Sequence, residues 1–524
     1  MANGVVDAPT RPRWGVSAAL KATIVFIAAC AQSAGVSWPF SFGFEAGQPL
    51  WWLQCLALAA LVGVLHRCSS TKQAAGFGLL FATAWLCATF WWLYISMHTY
   101  AGLNSLVTML AIVSLAAALG LYYAAACGLY WRMKGDRPLL ASMVFAALWT
   151  MAEMARGTWL TGFGWGAVGY AHLTGPLAGY VPWVGAYGVG ALAAWLAAGL
   201  VLALQRGVAL RLTLVAVLAA GWLLPLTQTA WSQGAGKLSV TLLQGNIPQD
   251  EKFQPGSGIP LALQWYGDAL NRSATDLVVA PETALPVLPQ DLPDGYWDAL
   301  AGRYAEGAQA ALVGSPWGNM REGYTNSVFA FGPNQKGEWR YDKHHLVPFG
   351  EFIPPLFRWF TQMMNIPLGD FNRGAIGQPS YPWKGQLLAL NICYEDLFGE
   401  ELGARFIDPA LAPTIFVNVS NIGWFGDSVA INQHLQISRM RALEFERPML
   451  RATNTGATVI IDHTGRVTAS LPRSTRGVLV GEVQGRTGTT PFAWWVARFG
   501  LWPIWIVALA IVLVAAYTRR TRAA

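Results

Sequence analysis

Three residues of unlike chemistry could act together in this 524-residue chain: Glu282, Lys343 and Cys393. Cys393 is the only cysteine between residues 231 and 490. The other five (Cys30, Cys55, Cys68, Cys87 and Cys127) fall in or beside apolar runs, where a thiol behaves as a small apolar group. With no disulfide partner in its own part of the chain, Cys393 is a candidate reactive thiol. A thiol attacks an acyl carbon only as thiolate, so it needs a base and a positive field. A carboxylate in a dry pocket has a raised pKa and can be that base, a part open to Glu282. A fixed ammonium, here Lys343, can stabilise the oxyanion of a tetrahedral intermediate, helped by a backbone N–H beside the cysteine. Singly, each residue has an ordinary structural use: a strand-end cap, a solvated charge, a small buried side chain.

Short β-type runs would position them, at 238–244, 276–280, 310–314, 327–331, 387–392, 414–418 and 458–462. Helical stretches lie between, such as 260–271 and 432–446. Glu282 follows DLVVAP and Cys393 follows LLALNI; Asn418 and Asn421 follow TIF. Lys343 lies in YDKHHLVPFGE, soon after the run ending at Phe331. Alternating strands and helices predict an α/β layered fold, and such folds place their chemistry at strand ends.

The rest of the chain is of another kind. Overall 54% of residues are apolar and 12% charged, against roughly 25% charged in an ordinary soluble domain. That excludes a disordered chain, a small disulfide scaffold and a purely cytosolic enzyme, and points to a polytopic membrane protein. Residues 231–486 hold 20 basic and 24 acidic side chains, whereas the remainder carries a net charge of +11. The basic excess therefore marks membrane topology rather than nucleic-acid binding.

Stretches without Asp, Glu, Lys or Arg predict eight spans: 22–44, 46–66, two within 73–131 broken near 98–104, 138–156, 184–205, 212–229 and 499–518. Basic residues cluster before the first span, between spans two and three, four and five, and six and seven, and after span eight. By the positive-inside rule both termini are cytoplasmic and the 231–490 block lies outside the cytoplasm. The expected domains are 1–230 (spans one to seven), 231–490 (extramembrane α/β) and 491–524 (eighth span and tail). Glu153 and Arg156, three residues apart near the outer end of span five, read as an ion pair or as a headgroup contact. His98, His434 and His463 show no partner pattern and read as structural.

The extramembrane block resembles the nitrilase, or carbon–nitrogen hydrolase, superfamily. The resemblance rests on Pro281-Glu282-Thr283, on the ten residues from Asp342 to Glu351 (DKHHLVPFGE), and on Asn391-Ile392-Cys393-Tyr394-Glu395. Further segments extend it to nearly the whole chain: FWWLY at 90–94, GFGW at 162–165, QGNIPQ at 244–249, NVSNIGWFGDSVAINQ at 418–433, and the stretch from Arg447-Pro448 to Thr455-Gly456. Together they resemble the apolipoprotein N-acyltransferase family. The resemblance implies an α-β-β-α sandwich beside the membrane spans, in a bacterial inner membrane, with the sandwich periplasmic. It implies transfer of a fatty acyl chain from a phospholipid, through a Cys393 thioester, to the α-amino group of a lipoprotein's diacylglyceryl-cysteine. Glu282 would be the base and Lys343 the oxyanion partner. Glu351 would support Lys343, and Tyr394 and Glu395 would support the nucleophile and shape the substrate site. Phe253 stands where some members have Trp after QGNIPQ, which implies a substrate-facing ring.

Neither a metal nor a cofactor is expected, and the flanking spans favour a monomer. The segment 354–367 (PPLFRWFTQMMNIP) is strongly apolar for an extramembrane stretch, so Phe357 and Trp359 are expected in an arm or lid that dips into the bilayer. Trp424 and Phe425, flanked by glycines, form a second candidate arm. Two other functions compete. A membrane-tethered amidase or nitrilase would use the same three residues, but has no need of eight spans. A transporter or scaffold would need charges facing a pathway inside the spans, where Glu153 alone is found.

Overall fold

The computed structural model describes residues 17–205, 208–227, 230–333, 338–354 and 370–523. Among the described residues, apolar helices lie where spans are expected: α1 (Ala18–Val36), α2 (Trp51–His66), α3 (Thr71–Phe90), α4 (Ser105–Met133), α5 (Pro138–Thr158), α6 (Val181–Gln205), α7 (Val208–Thr227) and Trp502–Ala523. Their starts follow local chemistry. Ser17, Ser70 and Asn104 accept the N–H groups of Leu20, Gln73 and Leu106, and Pro138 opens α5. Among the described residues, seven of the eight are long and apolar enough to cross a bilayer. The helix α2 has 16 residues, about 24 Å at 1.5 Å per residue, short of a hydrocarbon core about 30 Å thick. The break predicted at 98–104 is longer than expected: after α3 ends at Phe90 the chain turns, forms a π-helical turn at Ile95–Tyr100 and restarts at Ser105.

The 231–490 block folds as two six-stranded sheets. The first has the order β12-β1-β2-β3-β4-β5 and the second β11-β10-β9-β8-β7-β6. The first comprises β1 (Ser232–Gln244), β2 (Leu277–Val279), β3 (Ala310–Asn319), β4 (Gly323–Phe331), β5 (Trp339–Asp342) and β12 (Gly477–Gly488). The second comprises β6 (Tyr381–Trp383), β7 (Gln386–Ile392), β8 (Ile415–Ser420), β9 (Met449–Thr453), β10 (Val459–Ile461) and β11 (Val467–Ser470). The period-2 alternation sends Val240, Leu242 and Val279 to meet Leu388, Leu390, Val417 and Leu450 between the sheets. Outside the first sheet lie α8 (Gly258–Arg272) and α9 (Tyr296–Ala305). Outside the second lie the short α10 (Gly399–Gly403) and α11 (Val429–Phe445). The result is the α-β-β-α sandwich that the resemblance implied.

The helix α11 is buried nearly all round because its second face meets the membrane helices rather than water. The union is polar as well as apolar. Gln433 accepts the indole N–H groups of Trp92 (2.9 Å) and Trp165 (2.8 Å), so three of the segments that carried the resemblance converge on one amide. In α6, Gly185 has φ +66°, and a Cβ there would come 2.2 Å from the ring of Phe492, so only glycine fits. The helix restarts at Ala186, whose N–H donates to Glu444 of α11 at 2.6 Å. Gln433→Leu is expected to leave both indole N–H groups buried without an acceptor, at about 1–3 kcal/mol each. A thermal melt in detergent, falling by several degrees relative to wild type, checks this.

Candidate active site

The predicted side chains stand just past the ends of three strands, the parallel β2 and β7 and the antiparallel β5. Glu282 lies just past β2, Cys393 just past β7 and Lys343 just past β5. The structure brings all three together, with Glu351. Lys343 Nζ lies 3.3 Å from Glu282 Oε1 and 2.8 Å from Glu351 Oε1. The Cys393 thiol lies within electrostatic reach of Glu282, Lys343 and Glu351. Cys393 has φ +52°, so the chain turns sharply out of β7 into the 3-10 turn Cys393–Leu397.

Hydrogen bonds fix the acidic pair. Asn326, on β4, donates its amide to Glu282 Oε1 (2.7 Å) and to Glu351 Oε1 (2.8 Å). Glu282 Oε2 accepts the Asn421 N–H at 2.7 Å, and Glu351 Oε2 accepts the Val347 N–H at 2.8 Å. The Lys343 N–H is held by the Asn326 carbonyl at 2.9 Å. One asparagine therefore positions the carboxylates and the lysine at once.

The acidity of Glu282 differs from the sequence expectation. Burial alone would raise it, as a dry pocket suggests. The Lys343 ammonium, the Asn326 amide, the Asn421 N–H and Lys252 outweigh burial and hold this carboxyl below the usual range. Burial, joined by the charge of Glu282, pushes the Cys393 thiol up to about 12, with Lys343 opposing. Burial works against the Lys343 ammonium, but Glu282 and Glu351 win and hold its pKa above the ordinary lysine value. At rest the thiol therefore keeps its proton and the Glu282 carboxylate lacks one.

Glu395 and Tyr394 follow the thiol. The Glu395 carboxylate accepts the N–H groups of Ile392 (2.6 Å), His344 (2.6 Å) and His345 (3.2 Å) and the Tyr341 hydroxyl (2.8 Å), tying the lysine loop to the cysteine turn. Tyr394 donates to the Gly162 carbonyl at 3.0 Å, and His345 Nε2 meets the Thr161 carbonyl at 2.9 Å, so the same turn is docked on the membrane segment after α5. His344 bridges Glu395 Oε1 and Glu401 Oε2, each at 2.7 Å. Burial would lower its pKa, but Glu395 and Glu401 raise it from 6.5 to about 9. A proton bound more tightly in the folded than in the unfolded chain stabilises the fold while it is retained. The contribution of His344 is therefore complete below pH 6.5 and is lost as the pH rises through about 9. The unfolding midpoint should fall across that window, and His344→Gln should flatten the fall.

The remaining predicted residues are placed as follows. Phe253 is 45% exposed, and the Lys252 ammonium lies 5.9 Å from its ring centroid. Phe425 packs at 4.2 Å on Trp92 and Trp424 edge-on at 5.8 Å to Tyr100, so both rings rest on the segment between α3 and α4. Phe357 and Trp359, with residues 355–367 of the expected lid, lie outside the described residues. Glu153 and Arg156 are buried and only partly satisfied: Glu153 Oε1 accepts the Val168 N–H at 2.8 Å and Arg156 donates to Tyr123 and to the carbonyls of Phe163 and Trp165, while Glu153 Oε2 and Arg156 Nη2 have no hydrogen-bond partner among the described residues. No ion pair joins them among the described residues, and both side chains are buried.

Sequence reasoning missed three residues. Asn326 gave no local signal. Lys252 stands beside the Phe253 that was singled out. It is buried, donates to the Glu282 carbonyl at 3.1 Å, and is lowered by burial to about 7 against the pull of Glu282 and Cys393. His434, read as structural, faces the Cys393 carbonyl at 3.2 Å.

Comparison with known proteins matches two parts of the chain. Residues 34–199 match the apolipoprotein N-acyltransferase N-terminal domain, and residues 239–492 match the carbon–nitrogen hydrolase family. An apolipoprotein N-acyltransferase of Verminephrobacter eiseniae (strain EF01-2) is 56% identical, covering 91% of this chain and 92% of its own. One of Ralstonia nicotianae (strain ATCC BAA-1114 / GMI1000) is 47% identical, covering 96% and 95%. Among solved structures, an amidase from Nesterenkonia sp. aligns at 17% identity with a TM-score of 0.37, over 52% of this chain and 97% of that one. On the matches of both halves and the identity over nearly its whole length, the chain belongs to the apolipoprotein N-acyltransferase family.

Proposed function

We propose that this membrane enzyme moves a fatty acyl chain from a phospholipid to the α-amino group of a lipoprotein's diacylglyceryl-cysteine, with Cys393 as nucleophile. The observation that carries the roles is the shared cluster of Glu282, Lys343 and Glu351 around the only thiol of the sandwich. The Cys393 sulfur attacks the acyl ester carbon as Glu282 takes the thiol proton. Lys343 stabilises the oxyanion, and the lysophospholipid leaves with the proton from Glu282. The acceptor amine then attacks the thioester. Glu282 takes a proton from the amine, whose reference pKa is about 8, and returns it to the departing thiolate. Glu351 and Asn326 hold Lys343 and Glu282 in register throughout.

The setting suits lipid substrates, because each CH₂ withdrawn from the bilayer costs about 0.8 kcal/mol. The docking of the cysteine turn on residues 161–162 and of α11 on the membrane helices supports a site open to the bilayer side. The basic clusters support a periplasmic sandwich in the bacterial inner membrane, with domains 1–230, 231–490 and 491–524. The flanking helices support a monomer. Product analysis tests the function: purified protein, a phospholipid with a labelled acyl chain and a diacylated lipopeptide should give N-acylated peptide. Labelled free acid in its place would instead indicate a hydrolase.

A further inference from the structure

Cys393 holds a left-handed backbone conformation, φ +52°, that residues with a Cβ rarely keep without support. Its carbonyl oxygen faces two buried side chains, Asn418 Nδ2 at 3.1 Å and His434 Nε2 at 3.2 Å. The tautomer of His434 follows from its other nitrogen. Arg451, which can only donate, lies 2.8 Å from His434 Nδ1, so Nδ1 is the acceptor and Nε2 carries the hydrogen. That N–H has two acceptors within reach, the Cys393 carbonyl at 3.2 Å and Asp396 Oδ1 at 2.9 Å. Ser438 donates to Asp396 Oδ2 and accepts from Arg451, which also reaches Asn418 Oδ1 at 3.1 Å. All these side chains are buried, and the positive Arg451 balances the negative Asp396 around a neutral imidazole. The network also touches the membrane helices: Trp165 lies 5.3 Å from the His434 ring, and the neighbouring Gln433 accepts the Trp165 indole.

We propose that His434 is a positioning residue for the nucleophile, its Nε2–H gripping the Cys393 carbonyl and keeping the turn that aims the thiol towards Glu282 and Lys343. This rests on Cys393 being the nucleophile. The geometry separates two duties. The triad performs the chemistry, while His434, braced by Arg451 and by the membrane segment at Trp165, fixes where the sulfur stands. Loss of the grip slows attack on the ester without altering phospholipid binding, because His434 is buried behind the turn.

The test is single-turnover acylation in detergent micelles with a synthetic phosphatidylethanolamine, followed by intact mass for wild type, Cys393→Ser, His434→Leu and His434→Gln. The expected result is acylation slowed about tenfold or more in His434→Leu, the loss of one hydrogen bond to a positioned group, at unchanged half-saturating phospholipid. His434→Gln, whose amide N–H can reach the same carbonyl, should recover to within about threefold of wild type, since it restores that bond. Equal rates in the two His434 variants, or a changed half-saturation alone, would overturn the proposal. Should His434→Leu not be recovered folded, Asn418→Asp decides. It keeps the partner of Arg451 and removes the donor that reaches both the Cys393 carbonyl and Asn391 Oδ1, so slow acylation at unchanged half-saturation supports the grip and wild-type acylation overturns it. A wild type that takes up no acyl group, or one equally acylated after Cys393→Ser, overturns the nucleophile assignment and this inference with it. A wild type acylated at Cys393 with His434 variants that match it overturns this inference alone.

Discussion

Cys393→Ala is expected to lower N-acyl product formation by about 10⁴-fold or more, the scale on which a covalent nucleophile is lost. The fold should survive. Alanine fits the space of the half-buried thiol, and its left-handed backbone is no more strained than that of cysteine. The melting temperature should stay within a degree or two of wild type, a shift worth about 1 kcal/mol or less. A quantitative product assay beside a melt therefore separates chemistry from folding at this position.

Lys343→Met is expected to damage both. It removes the cation that lies between Glu282 and Glu351 while Asn326 keeps the two carboxylates side by side. Breaking a buried pair by deleting one partner costs about 3–5 kcal/mol, and the loss of an oxyanion partner costs about 10²–10³ in rate. The two carboxylates would then share a proton at neutral pH, so Glu282 would also fail as a base. Adding Glu351→Gln removes the surplus charge. The double variant should regain most of the melting temperature and none of the activity, a split that a purely structural lysine would not produce.

How much of this was legible in the sequence depends on the kind of signal. The strands legible in the sequence, such as 238–244 and 387–392, are β-type runs whose apolar residues pack between the sheets. The strands β5, β6, β9, β11 and β12 were missed. β5, β6 and β11 are three or four residues long, β9 carries the buried Arg451, and β12 mixes glycines and charges because one face is exposed. Spans were readable because the bilayer demands long uncharged stretches, and α2 is the exception that length alone exposes. Glu282 and Cys393 stood out because each follows a recognisable strand, and Lys343 because it lies in one of the segments that carry the resemblance. Asn326 and His434 did not, because their work is done through neighbours more than 15 residues away along the chain. The pKa of Glu282 was misjudged for the same reason: burial can be guessed from composition, but four distant partners cannot.

The most direct measurement is the intact mass of wild type and Cys393→Ser after incubation with a phospholipid. A fatty-acyl increment on wild type, absent from the variant and discharged by a diacylated lipopeptide but not by water, is the predicted result. An unchanged wild-type mass with phospholipid, together with an adduct from small amides or nitriles, would contradict acyl transfer through Cys393.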